Sequence, residues 1–288
     1  MKREKKKRKK LPQTQIKPKK SPSHLFSLHP IPMLRFLALT LILFPVASSA
    51  QDPKPAPQPK ITRLDDHRVQ IGKVIVDQEK RQLSFRAGVN MTAGIIEYCL
   101  ATTKSNKVHE TLFLTDVSPF NLNVGMKLLG IKESKELFEI IDPETWKPTG
   151  KFPEVTPEVH AASLVDIFVE WGAGDQKTRR PVNELVHHIE WPEKAQTPEP
   201  SQQVETREAT LATMEAGPWL STGSYLHEGR FKAEIGGIIF AIFTNEQAIV
   251  NFSGKDRQLG DVWIPHQKNV PKVGTVVTLI LKPHPTKK

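Results

Sequence analysis

The chain has a single cysteine, Cys99, in 288 residues. That rules out an internal disulfide framework and any zinc or iron-sulfur site made of cysteines alone. The longest apolar run, Phe36 to Val46 (FLALTLILFPV), falls well short of the roughly 20 residues that a membrane-spanning helix needs. Also missing are a phosphate-cradling P-loop, a dinucleotide glycine fingerprint, a nucleophile elbow and paired-cysteine motifs. Gly172-Ala173-Gly174 lacks a third glycine and runs into a charged loop, so it reads as a turn.

Positive charge is present, but only at the front. The formal charge is +10, yet residues 1–50 hold 12 of the 41 basic residues and one of the 31 acidic ones, leaving 29 basic against 30 acidic in the rest. The body is nearly neutral, which argues against a nucleic-acid partner for it. The lysine-rich stretch Lys2–Lys20 resembles a nuclear-targeting or nucleic-acid tail, but an export signal stands directly behind it. Arg35, the apolar run 36–46 and the small residues Ala47-Ser48-Ser49-Ala50 have the layout of a secretory signal peptide, with cleavage expected after Ala50. An uncleaved N-terminal anchor is the alternative. Met33-Leu34-Arg35 would supply an ordinary short basic region, so translation is expected to start at Met33. No lipobox cysteine follows the apolar run. The implied location is the periplasm or cell envelope, and Cys99 is expected to be buried or inert.

Gln51–Lys60 is rich in proline and lysine and reads as a linker. From Ile61 onward, period-two alternation dominates. Leu83, Phe85, Ala87 and Val89 face one way, while Gln82, Ser84 and Arg86 face the other. Val69 to Val76 reads as a preceding strand bulged at Gly72. Ile95–Leu100 and Thr111–Val117 read as further strands. At Pro119–Leu129 the period changes to a helix ended by Gly130, and Glu133–Ile141 is a second helix candidate. Asp142–His160, with four prolines, reads as a surface excursion. Leu164–Trp171 and Val182–Trp191 resume as strands, followed by a polar interruption over 192–203. Phe231–Ile235 and Ile238–Ile242 flank Gly236-Gly237, a hairpin signal. Val276–Leu281, apolar on both faces, reads as a central or closing strand. The expected fold is mainly β, a β-rich α+β domain of antiparallel sheets packed as a sandwich with one or two short helices.

Several segments in order resemble the YdjY-like domain family of bacterial exported proteins. They are Gly94-Ile95-Ile96-Glu97-Tyr98, Lys107-Val108-His109-Glu110-Thr111-Leu112, the stretch ending Leu128-Leu129-Gly130, Val169-Glu170-Trp171, Arg180 to Val186, Gly217-Pro218-Trp219-Leu220-Ser221-Thr222-Gly223-Ser224, Gly229-Arg230-Phe231 and Val273 to Leu279. The resemblance implies one such domain over 61–285 behind a signal peptide. The family has no established activity, so it carries no catalytic residues over.

His109-Glu110 is the first candidate for chemistry, at the mouth of a hairpin. A zincin helix would need a second histidine where Phe113 stands, which leaves a proton-transfer or ligand-binding pair. The bland alternative is a loop hydrogen bond for His109 and a strand-end role for Glu110. His187 and His188 point to opposite faces of a strand, so they cannot share an ion; His187 is expected to face the core. Asp166 and Glu170 share a face but lie about 13 Å apart along a strand, too far for a glycosidase pair. Trp219 and Ser224 are candidates for ligand binding, with Trp263 and Phe231 as further surface aromatics, against the commoner fate of core packing. No metal and no cofactor are expected. The expected function is a non-catalytic binding or interaction module whose partner is an envelope protein or a small ligand, with membrane contact only through an uncleaved leader. The alternative is an envelope enzyme or redox accessory centred on His109 and Glu110.

Overall fold

The computed structural model describes residues 59–190 and 209–285. The expected leader and signal peptide, the linker up to residue 58, Trp191 and the interruption at 192–203 lie outside the described residues.

Strands β1 (Ile61–Arg63), β2 (Arg68–Ile71), β3 (Val74–Asp77) and β4 (Gln82–Val89) form an antiparallel meander. Val69 to Val76 is therefore two strands and not one bulged strand. Gly72 has φ of +59° and turns the chain back with Lys73, placing Ile71 opposite Val74. β5 (Tyr98–Thr102) starts later than the alternation suggests, because the Ile96 amide donates to the Trp263 carbonyl of another sheet. It pairs in parallel with β6 (Thr111–Thr115).

Helix α1 (Pro119–Leu128) forms where the period changes. Its start is set by the Ser118 hydroxyl, which accepts from the Asn121 amide, and by Pro119 in the first turn. Leu122, Met126 and Leu129 bury one stripe. Gly125 lets the helix lie close on β3, since a Cβ there would sit 3.1 Å from Val76 Cγ2. Gly130, at φ +76°, ends it: its amide bonds the Lys127 carbonyl and the Ile131 amide bonds that of Met126, a Schellman pattern. The second expected helix, Glu133–Ile141, does not form. Tertiary partners hold the segment instead: the Ser134 amide donates to the Ser221 carbonyl, and the Lys135 ammonium ties the side chain to the carbonyls of Thr222 and Ser224.

The proline-rich excursion expected to run to His160 ends earlier, at Thr156, whose hydroxyl accepts from the Val159 amide and caps α2 (Pro157–Ser163); β7 (Leu164–Trp171) and β8 (Thr178–Pro181) follow. A single 3-10 turn at Val182–Leu185 takes the first half of the next expected strand, leaving β9 as Val186–Glu190. Then follow β10 (Thr210–Thr213), β11 (Trp219–Ser221) and the two-residue pair β12 (Leu226–His227) and β13 (Arg230–Phe231). The glycine pair that signals a hairpin instead closes a short helix, α3 (Lys232–Gly236), with Gly237 at φ +69° as its cap. Gly-Gly satisfies a left-handed helix cap as well as a hairpin turn. Thr102 Oγ1, which would lie 2.3 Å from a Cβ at Gly237, leaves no room for any other residue. β14 (Ile238–Ala241), β15 (Val250–Phe252), β16 (Trp263–Pro265) and β17 (Val276–Pro283) complete the chain, with β17 centrally between β4 and β7.

These strands do not make a sandwich. The order β4-β17-β7-β11-β15-β14-β5-β6 returns to β4 through the pairs Gly88–Leu114 and Val89–Phe113, a closed eight-stranded barrel. Nor is it purely antiparallel, since β5/β6 and β14/β15 run parallel. Alternation along a strand reports that one face is buried. It does not report whether the sheet meets another sheet or its own far edge. Closure is possible because β4 forks: its first half pairs with β3, its last two residues with β6. β7 forks likewise between β11 and β8. A smaller sheet, β10-β9-β16, packs beside the barrel.

The barrel interior is filled by side chains. Leu83, Phe85, Ala87 and Val89 of β4 meet Val277, Leu279 and Leu281 of β17 and Val165, Ile167 and Val169 of β7. Phe85 reaches Phe240 edge-on at 6.4 Å. Trp219, Phe252 and Trp263 continue in contact, ring to ring at 5.6 and 5.5 Å, into the smaller sheet.

Candidate functional site

His109 and Glu110 lie in a 3-10 turn, Val108–Glu110, between β5 and β6. The turn is pinned from below by Asn90, whose side-chain amide donates to the carbonyls of Val108 and Thr111, both at 2.7 Å. The His109 side chain is 75% exposed and its Nε2 is 3.9 Å from Glu110 Oε1. Glu110 is instead engaged by Lys107, whose ammonium lies 2.5 Å from the same oxygen and 4.0 Å from Glu97. This bond to Glu110 holds the Lys107 ammonium above the usual lysine range. Tyr98 sits beside it, with its hydroxyl accepting from Asn245 at 3.2 Å and its pKa pushed up by burial. The pair is thus adjacent but divided: Glu110 belongs to a lysine strap and His109 to solvent.

Trp219 and Ser224 are placed inside. Trp219 is fully buried, and its Nε1 donates to Asn183 Oδ1 at 3.0 Å. Ser224 is buried with its hydroxyl accepting from the Ala233 amide, which fixes the approach to α3. Trp263 is core, and Phe231 is half-buried against Phe120. His187 and His188 do diverge. His187 Nδ1 donates to the Ala212 carbonyl at 3.1 Å and its ring stacks on His266, centroids 3.9 Å apart. His188 lies against Trp263, its Nε2 3.1 Å from Asp256. Burial, then the neighbouring His187, lowers the pKa of His266. Among the described residues no three of His, Cys, Asp or Glu gather so as to hold a metal ion.

Both carboxylates are engaged, Asp166 by a hydrogen bond with His284 Nδ1 at 2.8 Å and Glu170 by an ion pair with Lys177 at 2.6 Å. Cys99 is fully buried, and desolvation raises its thiol far above the reactive range. Asn90 and Asn251 spend their side-chain amides inside the fold, Asn251 on Thr222 Oγ1 and the Asn245 carbonyl.

The fork in β4 opens a cleft of about 710 Å³ that no sequence motif announces. Its floor is the outer face of β4 at Arg86 and Gly88 and, just past the strand, Asn90, with Leu114, Val117 and Val276 beside it. Gln70 of β2 and Lys73 of the β2–β3 turn form one wall. Lys73 is paired with Asp116 across this wall. Thr115 both donates to the Arg86 carbonyl and accepts from the Val117 amide, and Gln70 donates to the Gly72 carbonyl. Arg86 is the charged side chain of the lining with no ion-pair partner among the described residues. The signal that sequence reasoning passed over is Gly88, a glycine inside a strand of otherwise strict alternation.

Compared with family models, curated proteins and solved structures, the chain matches none.

Proposed function

We propose that the chain is an exported, non-catalytic binding module of the bacterial periplasm or envelope, and that it holds a small ligand on the outside of its barrel, in the cleft at the β4 fork. The observation that carries this reading is the contrast between a barrel interior occupied by buried apolar side chains and an open cleft of about 710 Å³ on the opposite face of the same strand. A volume in that range suits a small molecule, and an apolar lining with a few polar groups is the usual composition of such sites. The signal-peptide layout of residues 36–50 and the resemblance to the YdjY-like exported family support the location.

The test is to express the full chain with its own leader in a Gram-negative host, recover the periplasmic fraction and weigh the protein by native mass spectrometry. The expected species begins at Gln51 and carries a non-covalent small-molecule adduct. A bare protein, or an unprocessed chain kept in the cytoplasm, overturns the reading. A stoichiometric metal would redirect attention to the histidines.

A further inference from the structure

Gly88 is unexplained by folding. Its φ is not positive, so the backbone there is one that any residue adopts. A Cβ built on it meets nothing within 4 Å, so no neighbour requires its absence. Glycine weakens a strand interior, and one that neither conformation nor packing demands marks a place where something else comes close. Arg86 stands two residues earlier on the same face, about 7 Å away at strand rise. The positions opposite on β17 are Thr278 for Arg86 and the exposed Val276 for Gly88. The cleft therefore offers a guanidinium with no ion-pair partner among the described residues, beside the one floor position without a side chain, Gly88, with Val276, Leu114 and Val117 bordering it.

Resting on the binding-module reading, we infer that the ligand is an amphipathic monocarboxylate: its carboxylate pairs with Arg86 and its apolar body lies across Gly88. A planar guanidinium takes a carboxylate with two parallel hydrogen bonds. One arginine balances one negative charge, whereas a phosphate monoester, with nearly two, would be left under-compensated where Lys73 is already spent on Asp116.

The experiment uses the full chain and three carboxylates, octanoate, 4-phenylbutyrate and phenylacetate, with octanamide as the neutral control, measured by isothermal titration and ligand-observed NMR. At least one carboxylate is expected to bind more tightly than the amide. Arg86→Gln should lower its affinity about 10- to 100-fold, the range of a charge-assisted hydrogen bond, while leaving amide binding unchanged. Gly88→Val should abolish binding of all four probes while the melting temperature holds or rises. Equal affinity for carboxylate and amide, or indifference to Arg86→Gln, overturns the carboxylate assignment; if Gly88→Val still blocks, the cleft itself stands. Binding of no probe overturns the assignment, and an adduct from cells that survives Gly88→Val overturns the cleft as well.

Discussion

Strand β4 presents two regions of the molecule back to back. Toward the barrel it places Leu83, Phe85, Ala87 and Val89, all buried; toward the outside it places Ser84, Arg86 and Gly88, the last two lining the cleft. The inner set is dictated by volume, because each side chain must fill space left by β17, β14 and β6. The outer set is free of that demand, and it is where an uncommitted arginine and an unforced glycine occur together. The same contrast recurs on β9, where neighbouring His187 and His188 go to different partners on opposite faces. Along one strand, adjacent residues answer to different constraints, so the packing face explains stability and the other is open to function.

Substitution on either side of β4 tests this contrast most strongly. Phe85→Ala removes a ring in contact with Phe240 across the barrel and should cost about 3–5 kcal/mol in urea denaturation. Arg86→Gln, next in sequence, should change stability by no more than about 0.5 kcal/mol. Comparable losses at both would mean that the outer face is also structural.

Trp219→Phe asks a narrower question. It keeps most of the apolar contact but leaves the buried Asn183 carbonyl without its donor, an expected loss of about 1–3 kcal/mol. No loss would place the indole nitrogen outside the network that holds the 3-10 turn to β11.

The smallest effect belongs to His266. Burial and the facing His187, with Arg180 and Lys268 nearby, depress its pKa in the folded chain. The folded chain then holds that proton less tightly than the unfolded chain does, so unfolding takes up a proton as the pH falls through the ordinary histidine range. Stability contributed by neutral His266 is present above that range and declines below it. The urea midpoint should therefore fall between pH ~7.5 and ~5.5, and fall less in His266→Gln. An equal fall in both assigns the pH dependence to other groups.

Much of this was legible beforehand. The strand at Leu164–Trp171 and helix α1 with its Ser118 and Gly130 ends follow from spacing and caps that act over a few residues. The burial of Cys99 and the divergence of His187 from His188 were likewise readable from residue type and strand geometry. Expectation and structure part where distant partners intervene. Glu133–Ile141 is tied to Ser221 and Thr222 as irregular chain with one turn, and Gly236-Gly237 caps a helix under Thr102. His109 and Glu110 stand out by residue type, but Lys107 divides them. The cleft was invisible because Arg86, Leu114 and Lys73 come together only through strand pairing.

By itself the sequence determined which face of each strand is apolar, where α1 starts and stops, and that the charge excess sits in residues 1–50, because these depend on residues close along the chain. Only the tertiary structure decided that the sheet closes on itself rather than facing a second one, and that β4 splits its edge between β3 and β6 to open a cleft. Both depend on which distant edges meet, and a hydrogen-bonding edge carries the same backbone groups whatever side chains it bears.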